Sequence, residues 1–509
     1  MKSRKIAIPF IITFILLCPF IILFAQIELN DLKSFVSILF SEITTNTYAL
    51  ILLSGLLSII WALPSAYFQS KYNFKYGQFL NWTMMLPLAL PAYIAAYTYK
   101  GIFAPYGTTH ALFNFYLDIE SIPFLSLIFS FVLYPYLYII LKNHFKYQNP
   151  RLMEAAQSLG KSKWESFFSI RFPLLIPAII SGVTIIAMEI LNNFGAVSYF
   201  GIPTYTTEII QKWSPIHKTE SIAISLALLL SVCVIFGIDY LYKRKKHFIE
   251  QNLEFNNNKP QATGKIYFIG LLAQSVPLVF GFIIPIIQLV FWASKEYTNV
   301  LDNHFLDLVL NTVSLAGQAI IFCLICALTF AFFLRLFPSK ALKFLTKLST
   351  VGYAFPGVVV SIAVLEFAKS LEIIQIDFTQ YLGVFLIFAY LIRFQAISLN
   401  GIQSSLEKIP FTYHEASKSL GKNTWQTIKN IEWPLIKSSI FASILMIFVD
   451  VSKELPLTMM FQSFNFETLA IRSYLLMITD GAIYQSSVPS LCIIAIGILP
   501  ALFLNKLGK

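Results

Sequence analysis

The chain has 509 residues, 57% of them hydrophobic and 12% charged. That balance excludes an ordinary soluble domain, in which about a quarter of the residues are charged. The formal net charge of +11 would suit a nucleic-acid partner if the basic residues formed one groove. They lie instead in short loops between apolar blocks, the distribution of inner loops in a membrane protein, so no nucleic-acid partner is expected.

The apolar blocks are about twenty residues long, enough for a helix to cross a bilayer core. The N-terminus places Lys2, Arg4 and Lys5 before an apolar run from Ile6 to Phe24. It looks like a signal peptide, but the run is too long and no small-residue cleavage site follows at Ala25-Gln26-Ile27, so a retained first helix is expected. Spanning helices are expected near 6–25, 46–68, 79–99, 122–141, 174–192 and 221–242. A second set is expected near 266–292, 310–334, 345–367, 380–400, 435–450 and 488–504. The fold class is therefore an all-α membrane protein of about twelve transmembrane helices. The stretch 243–264, with Lys243-Arg244-Lys245-Lys246 and Asn256-Asn257-Asn258-Lys259-Pro260, reads as a cytoplasmic linker between a first six-helix repeat (1–242) and a second (265–509).

With both termini inside, 29 of the 37 Lys and Arg residues fall on inner loops and tails and 8 on outer ones. Of the 26 acidic residues, 18 fall outside. A register one helix out of phase would scramble this division.

The halves repeat. Residues Glu154-Ala155-Ala156-Gln157-Ser158-Leu159-Gly160-Lys161 recur 261 positions later as Glu415-Ala416-Ser417-Lys418-Ser419-Leu420-Gly421-Lys422. Trp164 matches Trp425 and Pro173 matches Pro434. Upstream the offset is 265, pairing Asn46-Thr47 with Asn311-Thr312 and Pro91 with Pro356. Six crossings per copy make these parallel repeats, with a central path expected between them.

Of the five cysteines, Cys323 and Cys326 form a C-x-x-C inside an apolar block. Thiols in that setting pack as small apolar groups, and a redox or metal role is the minor alternative.

The inner loops 142–173 and 401–434 hold the most informative pattern. Each reads as a short helix beginning near a proline (Pro150, Pro410) and ending at a glycine (Gly160, Gly421). A second short helix carrying the tryptophan leads to a proline and the next spanning helix. A surface helix-turn-helix of this kind is able to dock into a groove of a cytoplasmic partner; a plain interfacial helix anchored by tryptophan is the simpler alternative. Two copies at matched positions point to two equivalent partner subunits. Gly160-Lys161-Ser162 has the tail of a phosphate-binding loop, but Ala155 stands where its first glycine belongs. The chain is therefore not expected to be an enzyme.

Glu-Ala-Ala, then Gly, then hydrophobic-x-x-Pro on an inner loop resembles the signature of permease subunits of binding-protein-dependent ABC importers. Both copies match, with Ser417 in place of the third-position Ala and Trp433 before Pro434. These departures imply a second docking site that is looser or slightly shifted. The resemblance implies that each loop is a coupling helix seated in an ATPase subunit, with Glu154, Ala155, Ala156, Gly160, Glu415, Ala416 and Gly421 as contacts. It further implies two copies of a cytoplasmic ATP-binding subunit that use ATP and Mg, an extracytoplasmic substrate-binding protein, and a multi-pass location in the bacterial inner membrane. No cofactor is expected on this chain.

Two fused copies resemble the permeases for ferric iron, with thiamine permeases as close relatives. The segments Leu88-Ala89-Leu90-Pro91-Ala92-Tyr93, Asn193-Phe194-Gly195-Ala196-Val197-Ser198-Tyr199-Phe200-Gly201 and Lys453-Glu454-Leu455-Pro456-Leu457-Thr458 carry that likeness. Thiamine or another small solute (phosphonate, sulfate) is the alternative cargo, and an ion-coupled secondary transporter is the more distant one.

Polar groups at membrane depth are costly and face a cavity or a partner. Glu189, Asn192 and Asn193 near the outer end of the fifth helix, and Asp450, Lys453 and Glu454 at the matching place, are candidates for the translocation path or gate. A salt bridge of Lys453 with Asp450 or Glu454 that closes the pore is one reading, and direct contact with a hard cation the other. Pro91 and Pro356 either break their helices to line a binding region or merely kink them. Metal ligands are left unassigned. The outer segments 193–220 and 451–487 are the expected surface for the binding protein.

Overall fold

A computed structural model describes residues 4–147, 151–214, 217–244, 259–374, 381–462, 466–478 and 481–507. Helices account for nearly all of the described regular structure, and the extended pairing among these residues is a single bridge between Asn73 and Gln261. Among the described residues nine helices are long and apolar enough to cross a membrane, from Ile6–Ala25 to Thr424–Lys453. The expected third and ninth spans are not straight rods. Each is a broken pair, 77–89 with 92–113 bent by 86°, and 340–354 with 357–370 bent by 110°. The expected twelfth span begins as the apolar helix Ile483–Leu507.

The chain forms two compact units, Met1–Leu29 with Glu296–Lys509, and Asn30–Lys295. Each unit thus takes its first long helix from the other sequence repeat. In the first of them, helix Arg4–Ala25 buries Leu16, Phe20 and Leu23, with Phe20 edge-on to Phe355 at 4.7 Å. In the second, the helical run 264–300 accepts a hydrogen bond from Ser65 Oγ at the Ala273 carbonyl (2.8 Å). Gly281 lets it approach so closely that a Cβ there would stand 2.2 Å from the Phe131 carbonyl oxygen. Helix Glu42–Lys71 packs on helix Ile122–Tyr147 and buries the small residues Ser54, Ser58 and Ala62, while its Gly55 faces Val183 of helix Phe172–Leu191.

The repeated Asn-Thr pair has a shared structural role. Asn46 Nδ2 donates to the Pro203 carbonyl (3.2 Å) and Asn311 Nδ2 to the Glu467 carbonyl (3.1 Å). Thr47 and Thr312 hydroxyls accept from the Tyr205 and Leu469 amides. Each pair fastens its unit's outer segment. Those segments are largely folded inward, with Ala196, Val197, Tyr205 and Ile209 buried in one, and Leu457, Phe461, Leu469 and Ile471 in the other. Of the linker, 245–258 lies outside the described residues; its end docks where the Asn73 amide donates to the Pro260 carbonyl (2.9 Å). Cys323 and Cys326 are buried on helix Asn303–Leu336, in keeping with packing thiols.

Candidate functional site

The two inner hairpins fold alike from their caps outward. The first helix is Arg151–Ser158 in one and Thr412–Ser419 in the other. Both end in the same motif. Lys161 N–H donates to the Ala156 carbonyl (3.1 Å) and Gly160 N–H to that of Gln157 (3.0 Å); Lys422 donates to Ser417 (3.1 Å) and Gly421 to Lys418 (2.9 Å). Gly160 sits at φ +87° and Gly421 at φ +78°, conformations that a side chain disfavours.

A reciprocal cap starts each second helix. In the first hairpin the Ser162 amide donates to Glu165 Oε2 (2.8 Å) and the Glu165 amide to Ser162 Oγ (3.2 Å). In the second, Asn423 and Gln426 exchange the same bonds at 3.1 and 2.8 Å. The Ser162 backbone N–H, and after it the Ser162 hydroxyl, hold the Glu165 carboxyl below its ordinary value. A single π turn follows in each (Phe167–Arg171, Ile428–Glu432), running straight into helices Phe172–Leu191 and Trp433–Lys453. Each hairpin is therefore covalently and helically continuous with a spanning helix.

Among the predicted contacts, Ala155, Gly160, Glu415, Ala416 and Gly421 are exposed. Pro150 and the side chains of Glu154 and Trp164 lie outside the described residues. Ala156 faces inward and is buried, as is its counterpart Ser417. Ser417 does more than fill space: its hydroxyl bonds Thr427 Oγ1 at 2.9 Å, tying the two short helices together. At the corresponding places in the first hairpin stand Ala156 and Ser166, both buried, and the Ser166 hydroxyl lacks a partner among the described residues. The sequence pattern left out Leu159 and Leu420, exposed by 85% and 80% beside the left-handed glycines. The repeated Ser-Leu-Gly was the available signal, since an exposed apolar residue at both matched positions marks a candidate contact surface.

A buried charge cluster lies at the base of the second hairpin. Arg335 Nε meets Glu432 Oε1 at 2.5 Å, and its Nη1 donates to the carbonyls of Leu406 (2.7 Å) and Ile409 (3.2 Å). His414 Nδ1 lies 3.4 Å from the same carboxylate, with its ring stacked on Phe411. The first hairpin has Met153 and Arg171 at these places, and Arg171 lies over the rings of Tyr67 and Phe145.

The candidate path residues take local roles in each unit. Tyr136 hydroxyl donates to Glu189 Oε1 (3.1 Å). Asn192 closes helix Phe172–Leu191. Asn193 Oδ1 accepts from the Ala196 amide (3.0 Å), and Glu454 Oε1 accepts from the Leu457 amide (3.3 Å), so these matched residues cap matched short helices. Arg393 Nε lies 3.8 Å from Glu454, and Lys453 pairs with Asp450 at 2.9 Å. Pro91 and Pro356 stand at the two sharp breaks, each accepting the first amide bonds of the following helix. Tyr199, in one of the segments that resemble iron permeases, has its phenol pushed up to about 12 by burial and then by the Glu120 charge. Among the described residues no three His, Cys, Asp or Glu side chains converge to hold a metal.

Comparison with known proteins agrees with this architecture. Residues 3–247 match the family described as binding-protein-dependent transport system inner membrane component. The chain is 24% identical over 482 residues to the Fe(3+)-transport system permease protein FbpB 2 of Haemophilus influenzae, covering 92% of this chain and 90% of that one. It is 26% identical over 244 residues to the sulfate transport system permease protein CysT of Escherichia coli, covering 45% of this chain and 88% of that one. A probable sulfate permease of Chlorokybus atmophyticus matches at 25% over 256 residues, covering 47% and 87%. These matches make the chain similar to inner-membrane permeases of binding-protein-dependent transport systems, and its helices long and apolar enough to cross a membrane agree with a multi-pass inner-membrane protein.

Proposed function

We propose that the chain is the translocating subunit of an ATP-driven importer and that its cargo is ferric iron delivered by an extracytoplasmic binding protein. The observation that carries this reading is the matched pair of hairpins. Each exposes a leucine beside a left-handed glycine and runs without a break into a spanning helix. Such a knob suits a cleft on a cytoplasmic ATPase, and two knobs suit two copies of it. ATP and Mg belong to those subunits. The basic bias of the inner loops supports a cytoplasmic position for both hairpins and both termini. Transport then proceeds by alternating access, a population shift driven by the motor's closing stroke on the coupling helices.

The iron assignment is supported by a relative named as an Fe(3+)-transport permease that matches over 92% of this chain. Sulfate is the second reading, favoured by permeases that match about half of the chain. Uptake of radiolabelled ferric iron and of sulfate in a deletion strain separates the two. Gly160→Pro, which cannot adopt a positive φ, or Glu154→Lys should abolish uptake while the protein remains inserted. Normal ATP-dependent uptake in both variants would refute the docking role.

A further inference from the structure

A cleft of about 360 Å³ opens at the end of helix Asn303–Leu336 and is lined by Arg335, Lys343, Thr346, Lys347, Gln403 and Glu407 among others. Its floor holds the Arg335 guanidinium, whose side chain is only 8% exposed. Nε and Nη1 are committed to Glu432 and two carbonyls, whereas Nη2 is buried and meets no acceptor among the described residues. A buried guanidinium N–H without an acceptor is costly and is normally satisfied by an anion or water. The rim adds Lys343 and Lys347, both exposed. Glu407 is the one acid in the lining, and it accepts a hydrogen bond from Gln403 (2.8 Å). The cleft thus presents two exposed lysines above a buried guanidinium whose charge is only partly committed.

The wall is helix Lys340–Ser349, which is amphipathic: Leu342, Thr346 and Ser349 turn inward, and Lys340, Lys343 and Lys347 outward. Phe344, 61% exposed, projects among those lysines. Lysines interleaved with an exposed aromatic on a short helix at the end of a spanning bundle suit the headgroup layer. In the other repeat the places of Arg335, Lys343 and Lys347 are taken by Ser70, Gln78 and Trp82, so the charge belongs to this unit alone.

We infer that this cleft binds the phosphate of an anionic lipid headgroup, clamped by Lys343 and Lys347 over the buried positive charge of Arg335. Because Arg335 also holds Glu432 and the carbonyls just ahead of helix Thr412–Ser419, the lipid would sit against the base of the second hairpin. The site needs the membrane and the inner-end position of this cleft, but neither the ATPase nor the cargo.

The test is binding by the purified full chain. In nanodiscs of phosphatidylcholine with increasing phosphatidylglycerol, retained lipid is read by native mass spectrometry and melting is followed in parallel. The wild type should retain phosphatidylglycerol selectively and melt higher with it. At an anionic surface each lysine contributes about a fivefold factor in affinity, so Lys343→Gln with Lys347→Gln should weaken retention roughly 30-fold. Lys71→Gln with Lys75→Gln, in the other unit, should leave it unchanged. Equal retention of the two lipids by the wild type, or unaltered retention by the first double variant, would overturn the inference. Inorganic phosphate that reproduces the stabilisation in pure phosphatidylcholine would overturn the lipid assignment. Loss of iron uptake has no bearing on any of these outcomes, so the two proposals fail separately.

Discussion

Replacing Glu432 with glutamine tests how the second hairpin is held. The change keeps the side chain's size and one acceptor but removes the charge that faces Arg335 at 2.5 Å, where the two side chains are 0% and 8% exposed. Removing one partner of a buried pair costs about 3–5 kcal/mol, because the other charge is left buried without compensation. At about 2–4 °C per kcal/mol for a unit of this size, melting should fall by roughly 6–20 °C. Arg335→Met combined with Glu432→Met removes both charges and should recover much of that loss. Arg171→Gln, at the matching position of the first hairpin, removes only contacts with the rings of Tyr67 and Phe145, worth about 0.5–2 kcal/mol. Melting followed by a thiol-reactive dye or a fluorescent fusion in detergent ranks the three. If Glu432→Gln melts within a degree or two of wild type, or if the double change is no better than the single, the cluster is not a buried ion pair of this kind.

Leu159→Asp and Leu420→Asp should leave melting unchanged, since both side chains are in solvent, yet each should lower ATP-dependent uptake about tenfold or more by spoiling an apolar anchor. In the first hairpin the Glu165 carboxyl titrates lower folded than unfolded, because Ser162 donates to it. Its stabilisation is complete above the ordinary carboxylate range and is lost as pH falls through the folded value. Protection at 162–166, measured relative to the intrinsic exchange rate at each pH, should therefore fall on acidification while that at 423–427, capped by Asn423 and Gln426, does not; Glu165→Gln should abolish the difference. Gly281→Ala would push a Cβ against the Phe131 carbonyl oxygen at 2.2 Å. Overpacking of that kind costs about 1–3 kcal/mol or more, and the variant should melt measurably lower, whereas Gly317→Ala, with open space at its Cβ, should not.

The hairpins were legible in the sequence because proline and glycine punctuate helices through backbone geometry. Gly160 and Gly421 sit at the positive φ that their positions after Ser-Leu foretold. The halves were equally plain, from Asn46-Thr47 and Asn311-Thr312 to the tryptophan-proline pairs. What the sequence concealed depends on tertiary packing. A proline inside an apolar run gives no angle, and the 86° and 110° breaks arise from the extended ψ of Pro91 and Pro356 after a tight turn. No local signal says that helices Arg4–Ala25 and 264–300 pack with the repeat they do not belong to. Asn193 and Glu454, candidates for the path or gate, each also accept a capping bond from the amide three residues on, a spacing open to reading in the sequence. Glu432 passed unremarked beside Trp433, and only the fold brings Arg335 and His414 to it.

The central claim is that both hairpins dock on separate motor subunits at the same face of the membrane. In a background lacking the five native cysteines, single cysteines at Leu159 and Leu420 can be labelled in sealed vesicles of either orientation. They can then be cross-linked to the co-expressed ATPase. The account predicts labelling of both from the cytoplasmic side only, and a cross-link from each. Labelling of the two from opposite faces, or a cross-link from neither, would contradict it.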